Sequence, residues 1–434
     1  MKQEQFLKFQ KLIRRVYEKS SFYHEKLDEA GIRPEDIRHI EALALIPFPT
    51  HVALRLAYTL IIIATKKKTP FTTKDELRKA YPLNIKAVDD EEIVRIHSSS
   101  GTTGQPIIIP YTNGDIEDWA IMMERCMETA GVSKKDRVQI TPGYGLWTAG
   151  IGFQRGVERL GAMAIPMGPG NTEKQIKMMI DLETTTLTAT SSYALLLAEE
   201  IAKRKLHDKI KLKKAILGSE RWGEKMRKRI SSELDVELYD IYGLTEIYGP
   251  GISISCKEEN GLHYWDDYLH FEIINPITGE SLAEGQSGEL VITTLTKEGA
   301  PLLRYRTRDL TRLLPGECPC GLGYPRHDII LGRTDDMIKI KGVNIYPGQI
   351  EDVLKGITGA SSEYQVIIER YEGKDKMLLR FEKNAFYSKE LLEEELRHYF
   401  KTNIGILIGT EALEIGSLPR SEKKTTRVID KRYN

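Results

Sequence analysis

The chain has 434 residues, 41% hydrophobic and 29% charged, with 63 Lys plus Arg balanced by 63 Asp plus Glu. Such a chain can bury a large core and should divide into at least two domains, and its even charge supplies no global field to draw it onto nucleic acid or a membrane surface. Four cysteines are too few for a disulfide scaffold and residues 1–20 show no apolar leader core, so small-molecule partners and a cytoplasmic setting are expected.

Helical periodicity runs from Glu4 to Ala30 through Phe6, Phe9, Leu12, Ile13, Val16 and Tyr17, and stops at Gly31. The most apolar stretch, Val52 to Ala64, is too short to span a bilayer and contains Arg55, so it reads as a buried helix or strand. Residues 93–97 (IVRIH) and 107–109 (III) read as strands of a hairpin whose turn is Ser98-Ser99-Ser100-Gly101-Thr102-Thr103-Gly104. Glycines there allow backbone N–H groups to turn inward around anionic oxygen, and hydroxyls add donors without bulk. A Ser/Gly-rich turn can equally be a flexible connection, and its spacing is not that of a Walker loop.

Asp115 to Ala130 is again helical, and from Val138 to Leu217 short apolar runs alternate with helical stretches, which predicts βαβ units. Gly218-Ser219-Glu220-Arg221-Trp222 follows one of these strands. Tyr242-Gly243-Leu244-Thr245-Glu246 follows another, delivering a ring, a hydroxyl and a carboxylate to a strand end where ligands gather in open α/β sheets. A core tyrosine beside a solvated glutamate is the plainer alternative. Tyr264 to Leu314 changes to short strands and turns, and within it Arg304 to Asp309 sets an acid that could hold a ribose diol. Leu331 to Asp336 has turn character and reads as a hinge. The remainder is expected as strand (MIKIKGVNI), helix (Gly348 to Leu354), two strands (EYQVIIER, KMLLRFE), helix (Lys389 to Phe400) and strand (ALEIG), followed by a basic, mobile-looking segment, Leu418 to Asp430.

Read in order, SSSGTTGQP, residues 142–153 (PGYGLWTAGIGF), GNTEKQ, GSERW, YGLTEIYGPG, GLHYWDD, LLRYRTRDL, GRTDDMIKIKGVNIYPGQIE and LPRSEKKTTRVID resemble the adenylate-forming superfamily of acyl-CoA synthetases, most closely the phenylacetate-CoA ligase family. The resemblance extends from about Ser21 to the end of the chain. It implies an α/β fold with a large domain, 1–334, of sheets flanked by helices, containing a β-rich subdomain over about 264–330, and a small mobile α+β domain, 335–434. It also implies a two-step reaction. A carboxylate attacks the α-phosphorus of ATP to give an acyl-adenylate and pyrophosphate, and the thiol of coenzyme A then displaces AMP.

Carried over by motif, Ser98, Ser99, Ser100, Gly101, Thr102, Thr103 and Gly104 enclose the β- and γ-phosphates; Tyr242 stacks on adenine beside Gly243, with Gly218, Ser219 and Glu220 along its edge. Thr245 contacts the α-phosphate, Glu246 binds Mg²⁺, Asp309 holds the ribose hydroxyls and Arg333 lies beside them. Lys424 bridges the attacking carboxylate and the α-phosphate; the family usually has glycine before it, where this chain has Lys423, the alternative register. Asp335 matches the hinge, and Gly342 the residue whose missing side chain leaves room for pantetheine. The position after Gly104, often lysine in the family, is Gln105.

Tyr144, Gly145, Trp147 and Ala149, with Tyr248, Gly249 and Pro250, are the expected acyl-pocket walls; aromatic faces with small residues between them suit a flat aryl acid. Trp147 packed in the core is the plainer alternative. Cys256, His263, Cys318 and Cys320 would make a closed tetrahedral site for structural Zn²⁺, a pattern the resemblance also implies; His327 competes as ligand, and reduced free cysteines are the alternative. Cys126, among apolar neighbours, reads as core. The leading function is an ATP-dependent aryl acid–CoA ligase with ATP, Mg²⁺, coenzyme A and zinc, without nucleic-acid or membrane partners; a homodimer is possible. A nucleotidyltransferase that adenylylates a deazaflavin without CoA and a non-catalytic nucleotide-binding homologue stay open.

Overall fold

The computed structural model describes residues 3–37, 69–99, 105–340, 343–371, 374–420 and 427–432. Val52 to Ala64, Ser100 to Gly104, Gly342, Lys423 and Lys424 lie outside the described residues. The chain forms two units, one of Met1–Ser133, Gly143–Gly161 and Ile241–Ile329, the other of Lys134–Pro142, Ala162–Asp240 and Ile330–Asn434. It is a mixed α/β fold.

The first unit opens with two helices, Gln3–Lys19 and Ser21–Glu29, where periodicity alone predicts one. Ser20 between them is extended and its side chain accepts from the backbone of Tyr23, so it caps a new helix. The apolar spacing continues across the break because Phe9, Val16, Tyr23 and Leu27 are all buried, and a periodicity does not register a cap. The hairpin forms as predicted, Arg95–Ser98 against Ile108–Tyr111, with Ser98 opposite Ile108. Helices Asn113–Thr129 and Ala149–Leu160 pack at glycines. A Cβ on Gly152 would lie 2.3 Å from the Trp119 ring and one on Gly156 2.5 Å from Met123 Cβ, so glycine sets the interhelical distance. The end of strand Glu237–Leu244 pairs antiparallel with Gly249–Ser255, which pairs with Leu262–Tyr264. The β-rich portion holds Leu269–Ile274, Gly288–Thr294 and Tyr305–Thr311, all antiparallel.

The second unit contains the predicted βαβ run. Its parallel strands lie in the order Met163–Pro166, Arg137–Ile140, Thr186–Thr190, Lys214–Gly218. Helices Thr172–Asp181, Ser191–Lys203 and Glu224–Leu234 come between or after them and bury Ile176, Met179, Tyr193, Leu197 and Ile230 with Leu187 and Leu217. In the terminal portion, MIKIKGVNI is two short antiparallel strands, Ile338–Ile340 and Val343–Ile345, instead of one. The last predicted strand falls at Gly409–Glu414. A four-stranded sheet then has the order Gly409–Glu414, Lys374–Lys383, Ala360–Tyr371, Val428–Asp430, packed with helices Pro347–Gly356 and Lys389–Ile404. Its last strand corrects the reading of a mobile terminus. Val428 and Ile429 are β-branched residues in a charged run, and they pair in parallel with Val366 and Ile367. Among the described residues no helix is long and apolar enough to cross a membrane.

Candidate active site

The hairpin brings the phosphate-loop candidates to a closed neck. Ser99 N–H donates to Ile107 O (3.1 Å) and Ile107 N–H donates to Ser99 Oγ (3.1 Å). Ser98 N–H and His97 Nδ1 both meet Leu146 O, at 2.9 and 3.2 Å, tying the hairpin to the 143–150 loop. With Nδ1 donating and burial lowering its pKa to about 4, His97 is neutral at physiological pH.

Residues 245–248 form the turn of a second hairpin. The strands approach so closely that a Cβ on Gly243 would lie 1.9 Å from Gly249 O and 2.7 Å from Pro250 Cα. Gly249, at φ +113°, would meet Thr148 and Trp119 at 2.7 Å. The turn therefore rests on the 143–150 loop, where Thr148 Oγ1 and Thr245 Oγ1 are 3.4 Å apart. Gly243→Ala is expected to destabilise the protein by about 1–3 kcal/mol through overpacking and to displace Thr245 and Glu246. Thermal denaturation checks it, and an unchanged melting temperature would refute the packing argument.

Tyr242 and Asp309, distant in sequence, are brought together. The Tyr242 hydroxyl donates to Asp309 Oδ2 at 2.6 Å. Glu246 is only 4% exposed, with Lys74 Nζ 3.1 Å from its Oε1 and no aligned hydrogen bond to that oxygen. Beneath the turn is a residue that sequence reading missed. Lys297, fully buried, donates to the carbonyl of Ile247 and lies 4.2 Å from the Tyr111 ring centroid and 4.5 Å from that of Tyr248. Burial pushes its pKa down to about 7, against the opposing pull of Asp115 and Glu246. The Tyr111 hydroxyl also reaches the turn, donating to Tyr248 O at 3.0 Å. Neither lysine has a local signature, since each acquires its neighbours only through the tertiary fold.

Of the proposed pocket walls, Tyr248 is fully buried and Trp147 is 38% exposed, so Trp147 is not a core residue. The Tyr144 ring packs on Gly150, where a Cβ would lie 2.6 Å from it, and burial raises its phenol to about 12. Gly145, at φ +83°, permits the loop to turn before Trp147, and Ala149 begins the helix behind it. Trp119 Nε1 donates to Pro250 O at 2.9 Å, tying helix Asn113–Thr129 to the 248–250 wall.

In the second unit, Gly218 ends a parallel strand and Ser219 takes φ +70°. The Ser192 hydroxyl donates to Glu220. Arg333 grips Asp335 with two bonds, Nε to Oδ1 at 2.9 Å and Nη2 to Oδ2 at 3.1 Å, so the ribose candidate and the hinge candidate are partners.

The cysteine cluster assembles. The ligand atoms of Cys256, His263, Cys318 and Cys320 all lie within 4.8 Å of one another, with Cys256 Sγ 3.7 Å from Cys318 Sγ and Cys320 Sγ 3.3 Å from His263 Nε2. Zinc bond lengths of about 2.3 Å to sulfur and 2.0–2.1 Å to nitrogen require tetrahedral edges of about 3.5–3.8 Å, so the spacing fits. His263 Nδ1 is 2.9 Å from Tyr324 O, the contact that fixes the tautomer with Nε2 as ligand. His327 is excluded by its own partners, Ser253 Oγ at Nε2 and Asp328 O at Nδ1, both 2.7 Å away. Cys126 is buried apart from the cluster, with Sγ 3.4 Å from Gly251 O.

These features define an AMP-binding enzyme. The family model described as AMP-binding enzyme matches residues 41–296, and that described as AMP-binding enzyme C-terminal domain matches residues 342–432. The phenylacetate-coenzyme A ligase of Escherichia coli (strain K12) is 40% identical over 430 residues, 97% of this chain and 92% of that protein. A crystal structure of 2-hydroxyisobutyryl-CoA ligase in the postadenylation state, in complex with R3-HIB-AMP, matches with TM-score 0.85 and 27% identity over 99% of this chain and 89% of that one. The same enzyme in the thioesterification state matches over the same shares at 27% identity, with TM-score 0.68. The chain belongs to the phenylacetate-CoA ligase family of AMP-binding enzymes.

Proposed function

We propose that the chain joins a flat aryl acid of the phenylacetate kind to coenzyme A through an acyl-adenylate, with release of pyrophosphate and then AMP. The observation that carries this reading is the 242–250 hairpin, in which a ring, a hydroxyl and a buried carboxylate emerge together beside the 143–150 loop. Both steps rest on positioning and charge stabilisation more than on proton transfer. Ser98 to Gly104 would enclose the departing phosphates. Tyr242 would stack on the base, with Gly218, Ser219 and Glu220 at its edge; Asp309, with Arg333, would hold the sugar; and Thr245 would meet the α-phosphate. Lys424 would offset the negative charge that keeps carboxylate and phosphate apart.

Glu246, a buried carboxylate whose Oε1 faces Lys74 Nζ at 3.1 Å, is the acid proposed for a divalent cation, and Mg²⁺ there would neutralise phosphate charge. Cys256, His263, Cys318 and Cys320 fit structural zinc, which would fasten residues 318–320 to Cys256, just past strand Gly249–Ser255, and to His263 within strand Leu262–Tyr264. Asp335 is proposed as the pivot before thioester formation and Gly342 as the residue that admits pantetheine.

The test is a panel of carboxylic acids scored by AMP formation with and without CoA. Arylacetates are expected to give CoA-dependent AMP release, and Trp147→Ala to alter the ranking of ring substituents. AMP release with a deazaflavin and no thiol would favour the nucleotidyltransferase reading; no turnover with any acid would overturn the ligase reading.

A further inference from the structure

Within the second unit, helices Ser191–Lys203 and Glu224–Leu234 meet the terminal portion largely through charge. Arg420, 12% exposed, is the centre of this contact. Its Nε and Nη2 donate to Glu199 at 2.9 and 2.8 Å, and its Nη1 and Nη2 donate to Glu382 at 3.0 and 2.8 Å. Glu382 is fully buried and also accepts Leu418 N–H at 2.9 Å, while Glu199 is shared with Arg229 at 2.7 Å. Beyond residues 421–426, Arg427 lies 3.4 Å from Glu363 and 4.7 Å from the Tyr364 ring centroid, and its carbonyl accepts Val366 N–H at 2.7 Å. The chain is thus fixed on both sides of that stretch, and on one side the anchor is a residue of helix Ser191–Lys203. Arg221 with Glu351 (3.2 Å), and Lys225 donating to Ile357 O and Ala360 O (2.7 Å each), extend the same seam.

Paired buried charges suit a contact that must form and come apart. Desolvation offsets much of their attraction when both partners are present, whereas removal of one leaves an uncompensated charge. The better match to the postadenylation structure than to the thioesterification structure of one related enzyme associates this seam with the first half of the reaction.

We propose that Glu199 and Arg420 are positioning residues for acid activation. They hold the chain immediately before the stretch that contains Lys424 and have no part in thioester formation. The proposal rests on the ligase reading above.

The two half-reactions are measured separately on the full-length enzyme, as acid-dependent ATP–pyrophosphate exchange and as thioester formation from a synthetic aryl acyl-adenylate and CoA. Arg420→Met and Glu199→Gln are expected to slow exchange on the order of 30-fold or more, with thioester formation within about twofold of the unaltered enzyme. Arg420→Lys is expected to recover part of the exchange rate. Glu199→Gln retains the Arg420–Glu382 pair, so it keeps the test informative should Arg420→Met fold poorly. Equal loss of both half-reactions in Glu199→Gln, or no loss in either, would overturn the proposal. Absence of acid-dependent exchange in the unaltered enzyme would instead overturn the ligase reading, and the proposal with it.

Discussion

Replacement of Lys424 by alanine is expected to slow acid-dependent pyrophosphate release by about 10²–10³-fold, the range seen when one charge-stabilising donor is removed from a reacting centre. An anionic carboxylate must approach an anionic phosphate, and a lysine between them is strongest where charge builds up, so the loss should fall on kcat more than on KM. The role calls for a compact charge that fits between two anions, so Lys424→Arg should restore little because the guanidinium is larger and planar. Lys423→Ala is the matched control, expected within about threefold of the unaltered rate because the motif gives the bridging role to Lys424. Near-normal release in Lys424→Ala would sink the assignment, and a loss in Lys423→Ala alone would move the role by one residue.

The second large effect concerns the cysteine cluster. One zinc per chain is expected by elemental analysis of the purified protein. Metal that binds the folded state alone stabilises it by about 4 kcal/mol at a free concentration a thousand times Kd. For a unit of this size the melting temperature should fall on the order of 10 °C when the metal is stripped, and recover with zinc. Cys318→Ser should lose both the metal and this increment, whereas Cys126→Ser and His327→Gln should keep the metal. Absence of metal in the unaltered protein would refute the site, and metal loss in His327→Gln would show that the ligand set is different.

What the sequence made legible followed from whether the signal was local. The alternation of apolar runs and helical stretches between Val138 and Leu217 reports its own burial, and those strands and helices appear where the pattern puts them. Cap and pairing information is subtler. Ser20 splits one periodic run into two helices, and Val428–Asp430 joins a sheet from inside a basic segment because its pairing partner lies over sixty residues away. The candidate site divides in the same way. Tyr242 and Asp309 were legible through their motifs, and the cluster of Cys256, His263, Cys318 and Cys320 through residue chemistry. Lys74 and Lys297 were not, because an isolated lysine in a helix or a loop acquires meaning only from what the fold sets against it, here a buried carboxylate and two tyrosine rings.

The hydrogen bond from Tyr242 to Asp309 has a consequence for the evolution of nucleotide preference. If one side chain reads the base and the other the sugar, then a single short contact makes the two readings interdependent. A substitution at Tyr242 that broadened base choice would also reorient the carboxylate, so tolerance of other purines should appear together with weakened discrimination between ribose and deoxyribose. Neither preference could drift alone.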